Sequence, residues 1–261
     1  MVSDPNERPS LADASDHWLD TLPQSGQDPD GESLAPRERW LRRARSAFKA
    51  LLFVLLGYYV LCLVLLAGYR FVDPPVTGVQ LQRVVEARLA GKKVPTRRSP
   101  VAYARLPQHV SRAVVAAEDG RFWRHWGFDF AEMRTVAGGV LQGQRPRGAS
   151  TITQQLAKNL FGTTHRNPVR KAYDFSLTIP AELLLGKERI LELYLNNVEW
   201  GPGIFGIDAA ARHHYGTSAP NLSRTQAAGL AALLPNPRAR TPANTAWYRA
   251  EILRRMARRG W

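Results

Sequence analysis

Hydrophobic positions fall into three regimes along the chain. Residues 1–34 are rich in Asp, Pro, Ser and Gly and carry little apolar content, a composition that buries too little surface to order a chain and predicts a disordered tail. After a basic run from Arg37 to Lys49, Ala50–Tyr69 holds twenty residues without a charge. A helix of that length spans about 30 Å, the thickness of a bilayer's hydrocarbon. Beyond it the pattern turns amphipathic. Ile152, Leu156 and Leu160 share one helical face, and Ile190, Leu191, Tyr194, Leu195 and Val198 form a second apolar stripe that reads as core. No run of alternating positions and no internal repeat emerges, so the body is expected to be mainly α. The resulting division is a tail over 1–49, a transmembrane helix over 50–69, a connector over 70–100 and a body over 101–261. The connector holds a short helix at Val79–Leu89 and a basic loop over 91–100.

Start and stop signals sharpen three helices. Ser150, after Gly148, is the expected N-cap of the helix that carries Ile152. Asn167 followed by Pro168 marks another start, and Pro180 should kink or divide the helix begun there. Glu192 and Asn196, four residues apart beside the second stripe, read as structural hydrogen-bonding groups.

Polar residues on these helices carry the chemistry. Beside the Ile152 stripe, Thr151, Gln155, Lys158 and Asn159 form neutral hydrogen-bonding groups ending in one ammonium, a face suited to a sugar and its phosphate. Arg166, Arg170 and Lys171 gather at the start of the Pro168 helix, where backbone N–H groups also favour anions. They make a credible pyrophosphate clamp. Arg170 and Lys171 precede Asp174 by four and three residues, so the three share a face. Glu118 and Asp119 close an apolar run and precede Phe122, Trp123, Trp126, Phe128 and Phe130. They read either as a solvated helix end or as an acid or base in a partly dry cleft walled by the aromatics.

Charge narrows the partners. The chain carries a net +14, with nine acids and seven bases in residues 1–49, so the positive charge lies beyond the tail and expects an anionic partner. Zinc-finger spacing and an aromatic-basic RNA pattern are missing, which disfavours nucleic acid. Six bases in residues 30–49 against three in 70–89 place the N-terminus in the cytoplasm and the body outside. The single cysteine, Cys62, excludes an intrachain disulfide. Three motifs are set aside. "GPGIFG", Gly201–Gly206, reads as a turn between helices and not a dinucleotide loop; "SAFK", Ser46–Lys49, lies at the membrane edge without transpeptidase partners; His213-His214 lacks a metal-ligand set.

Taken together, "EDGRFWRHWG", "GASTITQQLAKN", "RKAYD", "KERILELYLN" and "ALLPNP", in this order, resemble the motif series of glycosyltransferase family 51, the peptidoglycan glycosyltransferases, over roughly residues 76–261. With no transpeptidase segment after them, the chain is similar to the monofunctional branch. The resemblance implies a lysozyme-like, mainly α, two-lobe domain that polymerises lipid II into β-1,4-linked glycan and releases undecaprenyl diphosphate. It implies an inner-membrane location with a periplasmic catalytic domain, lipid II and the growing glycan as partners, and cell-wall synthesis or division proteins as candidate associates. By matching motifs, Glu118 carries over as catalytic base and Asp174 as the second catalytic carboxylate, standing where the family usually has Glu. Ser150, Gln155, Lys158, Asn159, Arg170 and Lys171 carry over as sugar- and diphosphate-binding positions, with Arg166 as a further contact. Asp119, Phe122 and His125 look like supports of the first motif. No ligand cluster demands a metal, so no cofactor is expected to be required; a divalent Mg or Mn ion is left only as a stimulant at the diphosphate. A lysozyme-like hydrolase with two carboxylates and water is the rival enzyme, and a non-enzymatic scaffold the rival from another class.

Overall fold

The computed structural model describes residues 36–92, 97–143, 148–165 and 167–261. The expected tail over 1–34, part of the basic loop over 91–100, and Arg166 lie outside the described residues. The chain divides into two units, residues up to Leu56 and Gly57–Trp261. The described part of the first is helical, the beginning of α1 (Pro36–Tyr69). The stretch Arg39–Tyr69 is long and apolar enough to cross a membrane, and an 18-residue window within it has a mean hydropathy of 2.7.

Within the second unit, the last turns of α1 are not free of protein. Cys62 and Leu66 are fully buried and Tyr69 nearly so. Tyr58 donates its hydroxyl to the Phe161 carbonyl at 3.0 Å, and Tyr59 donates to the Ser176 carbonyl at 3.1 Å. The second bond has a local cause. Pro180 lacks an N–H, so the Ser176 carbonyl has no helical donor four residues on, and Tyr59 supplies one. At the same place the helix divides, into α6 (Pro168–Ser176) and α7 (Thr178–Leu185), joined at Leu177.

Among the described residues, the regular structure of the rest of the body is helical apart from one small sheet. The helices are α2 (Gly78–Leu89), α3 (Gln108–Glu118), α4 (Phe130–Leu141), α5 (Ile152–Phe161), α8 (Lys187–Asn197), α9 (Ile207–Tyr215), α10 (Arg224–Ala231) and α11 (Ala246–Arg258). Helix α3 packs against α10 and α11, and α5 packs against α8, α2, α6 and α7. Helix α2 lies inside the stretch read as a connector, yet it is capped by Thr77 and docked on α5. The apolar stripes meet as expected: Ile152, Leu156, Ile190, Leu191, Tyr194 and Leu195 are all essentially inaccessible. Phe122 is buried among them, with Lys187 Nζ 4.3 Å from its ring centre.

Two sequence expectations are corrected and a third is made specific. Thr151, not Ser150, caps α5: its hydroxyl accepts from Gln154 N–H, and the Gln154 side chain returns to Thr151 N–H. A capping box needs Glu or Gln three residues after the cap, which Thr151 has and Ser150 does not. "GPGIFG" is not a turn between helices but most of a β-hairpin. Strands β2 (Glu199–Gly201) and β3 (Ile204–Phe205) pair antiparallel, and β1 (Arg97–Arg98) adds parallel to β3, giving the order β1-β3-β2. Glu192 and Asn196 are structural as expected, and what they hold is the segment before α3: Glu192 accepts from Tyr103 N–H at 2.7 Å, and Asn196 exchanges two bonds with the Val101 backbone at 3.0 and 2.9 Å.

Candidate active site

Glu118 is the last residue of α3, and the segment from Asp119 to Gly127 fixes α5 opposite it. Asp119 is buried; its Oδ2 accepts from Ile152 N–H at 3.0 Å and its Oδ1 takes His125 Nε2 at 2.9 Å. Ile152 is the first residue of α5, so the aspartate satisfies one of the N–H groups that a helix start leaves unpaired. Gly127, in the left-handed region at φ 79°, turns the chain so that its carbonyl accepts Thr151 Oγ1 at 2.6 Å. The first motif thereby clamps the N-terminus of the helix that carries the second. Deeper, Thr153 Oγ1 and Lys187 Nζ donate to the buried Glu182 Oε1 at 2.6 and 2.8 Å, tying α5 to α7 and α8.

Across this junction Gln155 Nε2 donates to Glu118 Oε2 at 2.8 Å. Gln155 Oε1 in turn accepts the hydroxyl of Tyr194, also at 2.8 Å. Burial pushes the Glu118 carboxyl above the ordinary range; the Gln155 bond and the charges of Lys158 and Arg240 pull it part of the way back, while Asp119 pushes it up. Lys158 is shifted the other way. Burial and the neighbouring Arg170 lower its proton affinity, and Asp174 and Glu118 offset them. One ammonium thus stands in the field of both carboxylates.

Asp174 is buried and paired with Arg170 on its own helix. Among the described residues its Oδ1 and Arg170 Nε have no hydrogen-bond partner. Burial raises its pKa, against the lowering pull of Arg170 and Lys158. Lys171 is exposed and lies 5.4 Å from the Phe175 ring centre. Ser150 is exposed beside the start of α5, and Asn159 is buried, its amide donating to the Gln155 carbonyl at 2.7 Å.

The structure therefore brings Glu118, Gln155 and Lys158 together, sets Asp174 and Arg170 against Lys158, and leaves Ser150 and Lys171 at the surface. The aromatics after Glu118 do not form one wall. Phe122 enters the core, Trp126 and Phe130 are mostly exposed, and Phe128 stacks on Phe130 at 5.9 Å and meets Phe175 edge-on at 5.5 Å. Sequence reasoning missed Tyr194, Arg240 and Tyr248. Tyr248 donates to the Ala117 carbonyl at 3.1 Å, and Arg240 lies 5.3 Å from its ring centre. Asp119, His125 and Asp129 bring donor atoms within 4.8 Å of one another. Their oxygens already serve the protein: Asp119 as above, and Asp129 through the Glu132 N–H at 2.9 Å and Arg121 at 3.5 Å.

The transglycosylase family profile matches residues 85–258. Biosynthetic peptidoglycan transglycosylases are among the similar proteins. That of Chromohalobacter salexigens is 47% identical over 201 residues, 76% of this chain and 84% of its own length. That of Ectopseudomonas mendocina is 44% identical over 194 residues, 74% and 80%, and that of Pseudomonas aeruginosa 43% over 193 residues, 74% and 83%.

Proposed function

Because the chain belongs to the transglycosylase family, we propose that it polymerises lipid II into β-1,4-linked glycan strands for cell-wall synthesis, releasing undecaprenyl diphosphate, with Glu118 as the base. The observation that carries the assignment of Glu118 is its setting. It is a carboxylate of raised proton affinity, held by an amide donor at 2.8 Å and flanked by the Lys158 ammonium.

In this reading the 4-hydroxyl of an acceptor sugar attacks C1 of the donor from the face opposite the diphosphate. The C1–O4 bond forms as the bond from C1 to the diphosphate oxygen breaks, inverting C1, and the hydroxyl proton passes to Glu118. Negative charge develops on the departing diphosphate. Lys158, Arg170 and Lys171, with Arg166 from outside the described residues, would stabilise it. Arg170 Nε, left without a partner among the described residues, supports the clamp. Asp174 serves as an anion that orients these cations, while Ser150, Gln155 and Asn159 line the sugar sites. A lysozyme-like, two-lobe arrangement belongs to the same reading. A hydrolase would not need Lys158 and Arg170 set beside its carboxylates.

The apolar length of α1 and the excess of bases before it support a single span in the inner membrane, with the N-terminus cytoplasmic and the body periplasmic. The partners are lipid II and the growing strand. No cofactor is needed, and Mg or Mn acts only as a stimulant, so chelator-treated enzyme should still polymerise. The deciding experiment is lipid II polymerisation by wild type and Glu118→Gln. Loss on the order of 10²–10⁴-fold with retained lipid II binding is expected for a general base; more than about a tenth of the activity remaining would overturn the assignment. Protease outside spheroplasts should digest the body and spare the tail.

A further inference from the structure

Tyr194 sits on the apolar stripe of α8, only 1% exposed, where its ring packs as core. Packing does not account for its hydroxyl, because a buried hydroxyl needs a partner. The partner is Gln155 Oε1 at 2.8 Å, and the other end of the same amide reaches Glu118 Oε2 at 2.8 Å. The chain Tyr194–Gln155–Glu118 therefore joins α8, α5 and α3 through side chains alone.

Donor and acceptor roles fix its direction. An ionised carboxylate only accepts, so it must face the Gln155 NH₂ group. The amide oxygen is then turned toward Tyr194, whose hydroxyl must donate. A flipped amide would aim its oxygen at the carboxylate, an arrangement tolerable only when Glu118 holds a proton. Gln155 can present either end; Tyr194 determines which end costs less.

We infer that Tyr194 is a positioning residue for the reaction: by donating to Gln155 Oε1 it keeps the Gln155 amide turned so that Nε2 faces Glu118, and so holds Glu118 in the form that accepts a proton. The inference rests on Glu118 being the base. Other groups bear on that carboxylate: Lys158 from α5, Arg240 from the segment after α10, Tyr248 from α11, and the adjacent Asp119. None of them touches the Gln155 amide oxygen, which leaves its orientation to Tyr194.

The test is the pH dependence of lipid II polymerisation by wild type and Tyr194→Phe, a change that keeps the ring and deletes one oxygen. Without the hydroxyl, the buried amide oxygen turns to the Glu118 proton. The acidic limb of the rate should then move up by about one pH unit, a tenfold gain in proton affinity. The rate should recover toward wild type at higher pH, with KM for lipid II unchanged. In a Gln155→Leu background, adding Tyr194→Phe should move the limb no further. A uniform loss at every pH, or an equal shift in both backgrounds, would overturn the inference. If Tyr194→Phe does not fold, side-chain amide spectra of ¹⁵N-glutamine-labelled wild type decide: a single Gln155 orientation supports the anchor, and two exchanging ones refute it. An unmoved limb in Tyr194→Phe with Glu118→Gln inactive rejects the role of Tyr194 alone, whereas an active Glu118→Gln rejects the base assignment itself.

Discussion

Gly127→Ala tests the junction that sets α5 against Glu118. Two independent costs meet at this position. The backbone is left-handed at φ 79°, which costs a residue bearing a Cβ about 1–2 kcal/mol. The added Cβ would overlap Thr178 Cγ2 and lie 3.3 Å from Glu182 Cγ. Both belong to the packed α7, where a surplus methyl costs about 1–3 kcal/mol. The total of about 2–5 kcal/mol corresponds to a melting temperature lower by about 4–20 °C, at 2–4 °C per kcal/mol for a domain of this size. Tryptophan fluorescence during thermal and urea unfolding in detergent reads it. Thr178→Ser separates the two costs. It deletes Cγ2 but retains the hydroxyl, which donates to the Asp174 carbonyl at 3.1 Å. In the double variant it should therefore recover the packing share, about 1–3 kcal/mol, and leave the backbone share. Gly127→Ala should also lower polymerisation per folded molecule, because the Gly127 carbonyl holds Thr151 at the head of the helix that carries Gln155 and Lys158. A Gly127→Ala protein within about 0.5 kcal/mol of wild type, the range of an unconstrained surface change, would refute the reasoning. So would a double-mutant cycle without favourable coupling.

Glu118 binds its proton more tightly folded than unfolded, because burial raises its pKa. Its contribution to stability therefore declines as pH rises from the unfolded carboxyl range through the raised value; inactive Glu118→Gln should melt higher than wild type at neutral pH, and a lower melting point would contradict the sign. Asp174→Asn, which loses the charge facing Arg170, should be severely impaired in polymerisation. Asp174→Glu restores the usual family residue but adds a methylene beside Gly162, so it should stay within about a factor of ten, roughly 1.4 kcal/mol of barrier; near-wild-type turnover of Asp174→Asn would leave Asp174 a structural ion-pair residue. Lys158→Ala and Lys171→Ala should both weaken binding of a diphosphate lipid, but only the exposed Lys171 should show a loss that shrinks strongly with salt, since Lys158 is largely shielded from solvent. Equal binding by wild type and both variants would count against the clamp.

What the sequence disclosed, it disclosed through rules that act over a few residues. Apolar spacing of three and four found the faces of α5 and α8, the uncharged twenty-residue run found α1, and Asn167-Pro168 found the start of α6. The missed cap at Thr151 was legible too, because Gln154 stands three residues after it; Ser150 drew attention only through its place just after a glycine. The three strands hold two or three residues each, too few for alternation to register. Most of the site's wiring acts at longer range. Glu118 to Gln155 spans 37 residues and Gln155 to Tyr194 spans 39, and no local pattern says which face of one helix meets which face of another. The one available hint was chemical: a tyrosine on a stripe of leucines must place its hydroxyl somewhere.

The same distance hides from the sequence the burial that acts on Asp174. On one helix face, Arg170 and Lys171 look like two cations holding a carboxylate ionised. In the fold Lys171 turns to solvent and the Phe175 ring, Arg170 pairs with the carboxylate, and burial weighs against the charge. Burial drives all three central groups toward neutrality, raising Glu118 and Asp174 and lowering Lys158. A site built for stability alone would not gather ionisable groups whose surroundings disfavour their charge. For the proposed reaction the arrangement has a use. A base of raised proton affinity can take a proton from a sugar hydroxyl, and an ammonium only partly offset by its neighbours favours an arriving diphosphate. In that reaction the diphosphate would supply Lys158 with counter-charge beyond what Asp174 and Glu118 provide. It would also draw on the ammonium whose field depresses Glu118, and so would link substrate binding to the strength of the base through Lys158.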